Sequence, residues 1–435
     1  MPGFLVYKDV ANSMDNEIRK HFRFNFWVNL LDGGFFGFAF GFASLSTVLP
    51  LYIATMSDSA LLVGLVPAIH TVGWQLPQLF TAQKVQALNR FKPWVLFMTV
   101  HERIPFLFLS LIAWFSPLLG KSTALWLSFI ALTWQGLGGG FTANAWQNMI
   151  GKIIPPEYRA TFFGLQSAAA NLLGSAGAAI AGLILERLVF PGNFALCFLL
   201  ASMMMGLSFF FISLTREPPH TIEAPIPDSK AFWSEVRAIL KQDKSFTWFL
   251  VGRIIFQFSM MAFAFYSVYA VQERGLGKFE AGIMTSVLFI TQVIANPLLG
   301  WLADRWKRQP VLELGALAVV LSALLAWLAP SLTWFYLVMI LTGIANTVFW
   351  AIGLAITLEF GPEAQRPTYV GLANTLIAPA AALSPLVGGW LADQFGYPAT
   401  FAASAFLGLG ALSVLHFFVR SPERERQTSV SATSG

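Results

Sequence analysis

Charged residues are scarce in this chain of 435 residues. Asp, Glu, Lys and Arg together make up 11% of the sequence, whereas an ordinary soluble domain contains about 25%. Hydrophobic residues make up 56%, and no water-soluble core could hide that much apolar surface. The composition therefore excludes an ordinary soluble protein and predicts an integral membrane protein.

Cysteine and histidine are also scarce, with one Cys and five His. The single cysteine, Cys197, excludes intrachain disulfides and Cys-rich metal sites. The scattered histidines offer no metal-binding constellation. The sequence has no Gly-x-x-x-x-Gly-Lys-Ser/Thr loop, so ATP is not expected to drive the protein directly. We therefore expect no metal, no cofactor and no catalytic residues.

Long apolar stretches dominate what is present. A helix needs about 20 residues to cross the hydrocarbon layer of a bilayer, and the sequence has twelve stretches of about that length. The predicted spans are 25–53, 62–82, 93–116, 123–150, 161–185, 194–214, 246–271, 281–302, 310–329, 333–358, 368–391 and 398–419. An all-α fold in the lipid bilayer follows.

The basic residues lie mainly in the short connections between these spans. Of 27 Lys and Arg, 21 fall on the side of the two termini and 4 on the other. Since cytoplasmic loops carry the excess of Lys and Arg, both termini are expected in the cytoplasm, in a multi-pass protein of the plasma (cytoplasmic) membrane. Topology thus explains the net charge of +5 better than nucleic-acid binding does.

The widest connection between spans runs from Arg216 to Lys244 and is rich in proline and charge. It divides the chain into six spans plus six. We therefore predict an N-terminal helical bundle over residues 1–215, a cytoplasmic linker over 216–245, and a C-terminal bundle with a tail over 246–435.

The second half of the sequence repeats the first at an offset of 207 residues. The segment from Arg159 to Leu165 falls on the segment from Arg366 to Leu372, and Glu186 falls on Asp393. An internal duplication in so apolar a chain is typical of a secondary transporter, because alternating access needs two halves that rock about a site between them.

The strongest local motif is Gly300-Trp-Leu-Ala-Asp304-Arg305-Trp-Lys-Arg308-Gln-Pro310, after the eighth span. This run resembles the signature of the major facilitator superfamily. The resemblance covers nearly the whole chain and implies two pseudo-symmetric six-helix bundles, in which the first, fourth, seventh and tenth helices line a central cavity.

The same resemblance implies a cytoplasmic latch. Asp304 would accept hydrogen bonds from Arg305 or Arg308 and face the start of the fifth span near Arg159. Gly300 belongs to the same motif as Asp304, and Arg366 is the counterpart of Arg159 in the second half. The first half departs from the pattern, because Lys84 replaces the acidic residue. A symmetrical locking mechanism is therefore in doubt.

Ionisable residues inside spans are costly and are functional candidates. Asp32, near Asn29 in the first span, and Arg253, near Gln257 in the seventh, fall on helices that the resemblance places at the cavity. We expect Asp32 and Arg253 to couple protons or bind substrate, with a buried structural ion pair as the alternative. Further polar candidates on the fourth and tenth spans are Gln135, Asn144, Asn346 and Trp350.

Glu102 and Arg103 are adjacent in the third span. Neighbours in a helix point about 100° apart, so each needs another partner. They either brace the first half, with Asp32 pairing to Arg103, or transfer protons.

These features predict a secondary active transporter that moves a small organic solute, with protons as the expected coupling ion, efflux slightly favoured, and the protein a monomer. A facilitator or an importer of sugar or organic acid is the alternative. A non-transporting sensor or scaffold and a lipid-modifying membrane enzyme are alternatives of another class.

Overall fold

The computed structural model describes residues 2–218, 238–306, 308–357, 359–360 and 366–419. All regular secondary structure in these residues is helical. The side chains of residues 2–18, 79, 82, 83, 86 and 366–368 lie outside the description.

The helices of the first half follow each other with short connections. They are α1 (Pro2–Phe42), α2 (Val48–Ala54), α3 (Ala60–Gln86), α4 (Lys92–Arg103), α5 (Pro105–Leu119), α6 (Lys121–Ile153), α7 (Pro156–Arg187) and α8 (Gly192–Ser213).

The second half contains two further kinds of helical turn. Its elements are α9 (Lys244–Ser259), a 3₁₀ segment (Met260–Phe265), α10 (Tyr266–Gln272), α11 (Lys278–Trp306), α12 (Arg308–Leu328), α13 (Trp334–Thr347), a π-helical turn (Val348–Ile352), α14 (Gly353–Thr357), α15 (Arg366–Phe395) and α16 (Tyr397–Phe417).

Ten helical segments among the described residues are long and apolar enough to cross a membrane. The two other predicted spans coincide with α1 and α6, which are 41 and 33 residues long. Both helices carry more polar residues than the other spans, such as Asp32 in α1 and Gln135 in α6. The structure is therefore consistent with the twelve spans predicted from the sequence.

Several spans expected as single helices are interrupted. The first ends as a helix at Phe42 and resumes at Val48. The third is broken at Ile104, because Pro105 has no N–H to donate, although Ile104 keeps helical φ and ψ of −58° and −37°. The seventh and tenth contain the 3₁₀ segment and the π turn. Only the break at Ile104 has a sequence signal, the proline.

The described chain forms two compact units. Unit 1 comprises Met1–Ser44 and Ile69–Pro225, and unit 2 comprises Leu45–Ala68 and Ile226–Gly435. Thus α2 and the start of α3, which come from the first half of the sequence, belong to the unit of the second half. The predicted division at the linker 216–245 stays a prediction.

Unit 1 is held together by helices in close contact. Helix α1 packs along α7 and α8, and α4 packs on α6. The start of α4 is capped by Glu217, whose carboxylate accepts from the backbone N–H of Phe91 at 2.9 Å and of Lys92 at 2.8 Å. Lys152 Nζ donates to the same carboxylate at 2.8 Å. This satisfies backbone groups that a helix start leaves unpaired.

In unit 2, a carboxylate of α15 caps the start of α3. Asp393 accepts from Ser59 Oγ at 2.7 Å, from the N–H of Ala60 at 2.5 Å and from the N–H of Leu61 at 3.1 Å. Gly389 lies against the backbone of α3, where a Cβ would come within 2.6 Å of the Ala60 carbonyl oxygen. A small residue and a charged cap therefore dock residues 45–68 onto α15.

A buried hydroxyl cluster makes a second attachment for the same segment. Thr47 Oγ1 lies 2.7 Å from Ser267 Oγ and 2.5 Å from Thr285 Oγ1. Because Thr47 and Ser267 are fully buried, these bonds are shielded from competition by water.

We predict that Asp393→Ala frees the amides at the start of α3. Removing the charge-assisted cap should cost about 1–2 kcal/mol, and the amides of Ala60 and Leu61 should exchange with deuterium faster, as seen by mass spectrometry of peptides from this helix. The control is Asp58→Ala, which removes an exposed acid two residues before the helix. Equal exchange in the two variants would show that Asp393 does not hold the segment.

Candidate transport site

Three buried charged residues of unit 1 lie together where α1, α4 and α8 meet. Arg103 Nη2 lies 3.1 Å from Asp32 Oδ1. Ser208 Oγ donates to the same carboxylate oxygen at 2.6 Å and lies 2.9 Å from Arg103 Nη2. The pairing of Asp32 with Arg103 that the sequence suggested is therefore present.

A second carboxylate, Glu102, shares the same guanidinium. Glu102 Oε2 lies 3.7 Å from Arg103 Nη1 and 3.4 Å from Thr99 Oγ1. Asp32, Glu102 and Arg103 are only 4%, 7% and 6% exposed. We call Asp32, Glu102 and Arg103 the charge cluster. With both acids ionised it carries a net charge of −1.

The aromatic ring of Phe36 completes one wall of the charge cluster. The Arg103 guanidinium carbon lies 5.5 Å from the ring centre, a distance at which the ring face attracts a cation. Arg103 Nε has no hydrogen-bond partner among the described residues. The guanidinium thus contacts two acids, one at each Nη, and an apolar ring.

The other polar candidates of unit 1 lie outside the charge cluster. Asn29 donates to the Asn25 carbonyl oxygen at 2.8 Å, and its own carbonyl oxygen accepts from Gln166 at 2.9 Å. Gln135 Oε1 lies 3.0 Å from His70 Nδ1, and Asn144 donates to the Gln78 carbonyl oxygen at 2.7 Å. These side chains join α1 to α7 and α6 to α3.

Arg253 is the isolated buried cation of unit 2. It is 3% exposed, donates from Nη2 to the Phe349 carbonyl oxygen at 2.8 Å, and lies 4.5 Å from the Phe349 ring centre. Among the residues that the structure describes, no acid is within ion-pair distance of it, and Nε has no hydrogen-bond partner there. A buried charge without a counter-ion is costly.

Phe349 belongs to the π-helical turn of the tenth span. Such turns are frequent at functional sites. The remaining candidates in unit 2 are less closely tied to Arg253: Gln257 donates to Ser384 Oγ at 3.4 Å, Asn346 is half-buried, and Trp350 is 49% exposed.

Asp304 of the predicted latch lies near Arg308, one of its two expected partners, but the contact is long. Asp304 is 74% exposed and lies 3.8 Å from Arg308. The shorter contact of Arg308 is to Glu359 Oε1, at 2.5 Å, which sequence reasoning missed because no motif marks that acid. Arg305 stacks over Trp301 at 4.9 Å, and Gly300 has open space beside it.

The two arginines at the duplicated segments complete the predicted latch set. Arg159 donates to the carbonyl oxygens of Ile154, at 3.1 Å, and Gly151, within unit 1. It therefore closes the end of α6. The side chain of Arg366 lies outside the described residues.

A cavity of about 340 Å³ surrounds the Arg308 ion pair in unit 2. Its polar lining includes Arg308, Gln309 and Glu359, and apolar residues such as Phe249 and Leu312 close the rest. The lining also contains Asp304 and Arg305, so its two acids balance the charge of its two arginines.

The family model of the Major Facilitator Superfamily matches the chain twice, over residues 93–277 and 249–434. The chain belongs to this family of membrane transporters. The second match covers the C-terminal half, whereas the first begins in the third span and extends past the linker through the seventh. The prediction made from the Gly300 to Pro310 motif is confirmed. Since the family consists of transporters, the expectation that the chain is not an enzyme is confirmed as well.

Curated relatives match part of this transporter. Multidrug resistance protein MdtG of Dickeya zeae is 30% identical over 170 residues, which cover 37% of this chain and 41% of MdtG. Multi-drug resistance efflux pump PmrA of Streptococcus pneumoniae is 26% identical over 152 residues, covering 34% of this chain and 38% of the pump. The chain thus spans about two fifths of the length of these relatives.

A solved structure shows the same fold over nearly the whole chain. A variant of the nucleoside transporter NupG superimposes with a TM-score of 0.74 at 12% identity, covering 91% of this chain and 100% of that one. At this identity the likeness establishes the all-α major facilitator fold and not the solute.

We predict that Arg103→Gln destabilises the protein far more than Glu102→Gln. The first change leaves two buried carboxylates without a cation and should cost about 3–5 kcal/mol, whereas the second leaves a neutral ion pair. Cys197 is the only cysteine and is fully buried, so a thiol-reactive dye that fluoresces on coupling reports the midpoint of thermal unfolding in detergent. A midpoint of thermal unfolding that is lower for Glu102→Gln than for Arg103→Gln would contradict this charge balance.

Proposed function

We propose that this protein exports a small organic solute across the cytoplasmic membrane by alternating access, driven by protons that enter the cell. It works as a monomer with both termini in the cytoplasm. The excess of Lys and Arg on the side of the termini supports this orientation.

The observation that carries the proposal is the charge imbalance of the charge cluster. Two carboxylates and one guanidinium lie together, each 7% exposed or less. Burying an unpaired carboxylate is costly, whereas a protonated carboxyl group is neutral. The cluster can therefore take up one proton and release it when its surroundings change, which is the requirement for proton coupling.

Export is favoured by the relatives rather than by the geometry. One relative is named an efflux pump and another a multidrug resistance protein, and both are similar to this chain over only part of their length. Drug-like organic compounds are therefore the first compounds to test.

Transport is tested with purified protein in liposomes whose interior is more acidic than the medium. The probe is ethidium, whose permanent charge prevents passive trapping by protonation. Protein oriented with its cytoplasmic face outward should concentrate ethidium inside as protons leave, and nigericin, which collapses the pH gradient, should abolish this. Uptake that is unchanged by nigericin would indicate facilitation instead of coupling.

We expect Asp32→Asn to abolish the ethidium uptake that depends on the pH gradient. Arg103 loses its closest counter-ion, and the cluster with Glu102 ionised becomes neutral, so it no longer has the excess carboxylate that takes up a proton. The control is Glu313→Gln, which removes an acid of unit 2 that contacts His416 at 3.1 Å. Gradient-driven uptake by Asp32→Asn at the wild-type rate would remove Asp32 from the coupling mechanism.

An organic anion is the second candidate solute, and Arg253 favours it. The carboxylate or sulfonate of a solute would supply the counter-ion that the guanidinium lacks among the described residues. In the same liposomes, an aromatic sulfonate, which stays ionised at all relevant pH values, should be transported by the wild type and by Arg253→Lys at a reduced rate, but not by Arg253→Gln. Equal rates in both variants would show that Arg253 has only a structural role.

A further inference from the structure

We infer that Glu102, and not Asp32, is the residue of the charge cluster that binds and releases the transported proton. This inference rests on the proposed function and assigns its proton site. Asp32 then serves as the permanently ionised partner of Arg103.

The two carboxylates differ in how well their charge is stabilised. Asp32 Oδ1 receives two short hydrogen bonds, from Ser208 at 2.6 Å and from Arg103 at 3.1 Å. Among the described residues, the polar contacts of Glu102 are the longer ones to Arg103, at 3.7 Å, and to Thr99, at 3.4 Å. Hydrogen bonds to a carboxylate favour its ionised form. A single proton shared by the cluster therefore resides on Glu102.

The arrangement around Arg103 explains why one cation cannot serve both acids equally. Nη2 faces Asp32 and Ser208, while Nη1 faces Glu102 at the longer distance. Glu102 is adjacent to Arg103 in α4, whereas Asp32 reaches Arg103 from α1 and makes the shorter contact. Protonating Glu102 removes the weaker ionic contact and leaves a neutral Asp32–Arg103 pair.

Two glycines of α6 bring the Glu102 carboxylate against a neighbouring helix. A Cβ on Gly139 would lie 2.8 Å from Glu102 Oε1, and a Cβ on Gly138 would collide with the backbone at Glu102. Gly139 also faces Trp74 of α3. The carboxylate thus lies where α4 and α6 meet, and a change in their separation would alter its environment directly.

The other titratable and charged groups on the packed elements do not offer Glu102 a second cation. Helix α1 contributes Asp32, α8 contributes Ser208, and α4 itself carries His101, whose Nδ1 accepts from Trp134 of α6 at 3.2 Å. On α3, His70 is bonded to Gln135 at 3.0 Å. In the part of unit 1 that the structure describes, Arg103 is the one cation paired with Glu102.

The direct test is infrared difference spectroscopy of the purified protein in lipid between acidic and alkaline pH. A protonated carboxylic acid in an apolar site gives a carbonyl stretch that shifts in deuterated water. We expect this band in the wild type and its loss in Glu102→Gln. In Asp32→Asn the band should remain but appear only at lower pH, because Glu102 is then the one carboxylate of the charge cluster paired with Arg103. A band that disappears in Asp32→Asn and persists in Glu102→Gln would overturn the assignment.

A transport experiment separates failure of this inference from failure of the proposed function. Wild-type liposomes with no response to the pH gradient would refute the proposed function, whatever Glu102 does. If the wild type responds, Glu102→Gln should lose gradient-driven uptake but keep exchange of labelled for unlabelled solute, because exchange needs no net proton movement. Retained gradient-driven uptake in Glu102→Gln would refute the inference.

Further variants separate an effect on the proton site from a loss of the folded structure. Glu102→Asp keeps a carboxyl group and should recover part of the coupling, whereas Gly139→Ala should shift the pH at which the infrared band appears, because the new methyl group displaces Glu102. Glu313→Gln, remote from the charge cluster, should keep the wild-type band. A band that is the same in Gly139→Ala and in the wild type would contradict the position assigned to Glu102.

Discussion

One guanidinium shared by two buried carboxylates is the interaction on which this account depends. Charges inside a membrane-spanning bundle are expensive unless they are paired, and Arg103 lies between Asp32 and Glu102 where three helices of unit 1 meet. The pairing explains how these side chains can be buried at all. The excess of one carboxylate explains why the site can exchange a proton.

The helices around the charge cluster depend on close backbone contact more than on hydrophobic side chains. In a bilayer the hydrophobic effect does not drive helices together, because lipid tails are as apolar as the side chains. Small residues that let helix backbones approach closely therefore supply much of the packing. Gly138 and Gly139 do this beside Glu102, and Gly389 does it where α15 meets the start of α3. The same contacts that pack the helices also determine the distances between ionisable groups, which connects helix movement with protonation.

The sequence predicted the membrane class and the positions of the spans, because these depend on hydrophobicity averaged over many residues. It predicted the family because a contiguous motif marks it. It also suggested Asp32 as the partner of Arg103, since each buried charge needs one. It did not predict the carboxylate caps of Glu217 and Asp393 or the Glu359 contact of Arg308. These join residues more than 50 positions apart, and nothing in the local sequence distinguishes such acids from solvated ones. The π turn at Phe349 likewise has no local sequence signal, whereas Pro105 marks the break of the third span at Ile104.

The most direct measurement is the number of protons released when a transported solute binds to the purified protein in weakly buffered detergent solution. If the charge cluster holds one exchangeable proton, addition of a saturating solute near the midpoint of its titration should release protons from the wild type, at most one per molecule, and none from Glu102→Gln, although both bind the solute. Equal proton release by the two proteins, or binding without release by the wild type at every pH, would contradict the account.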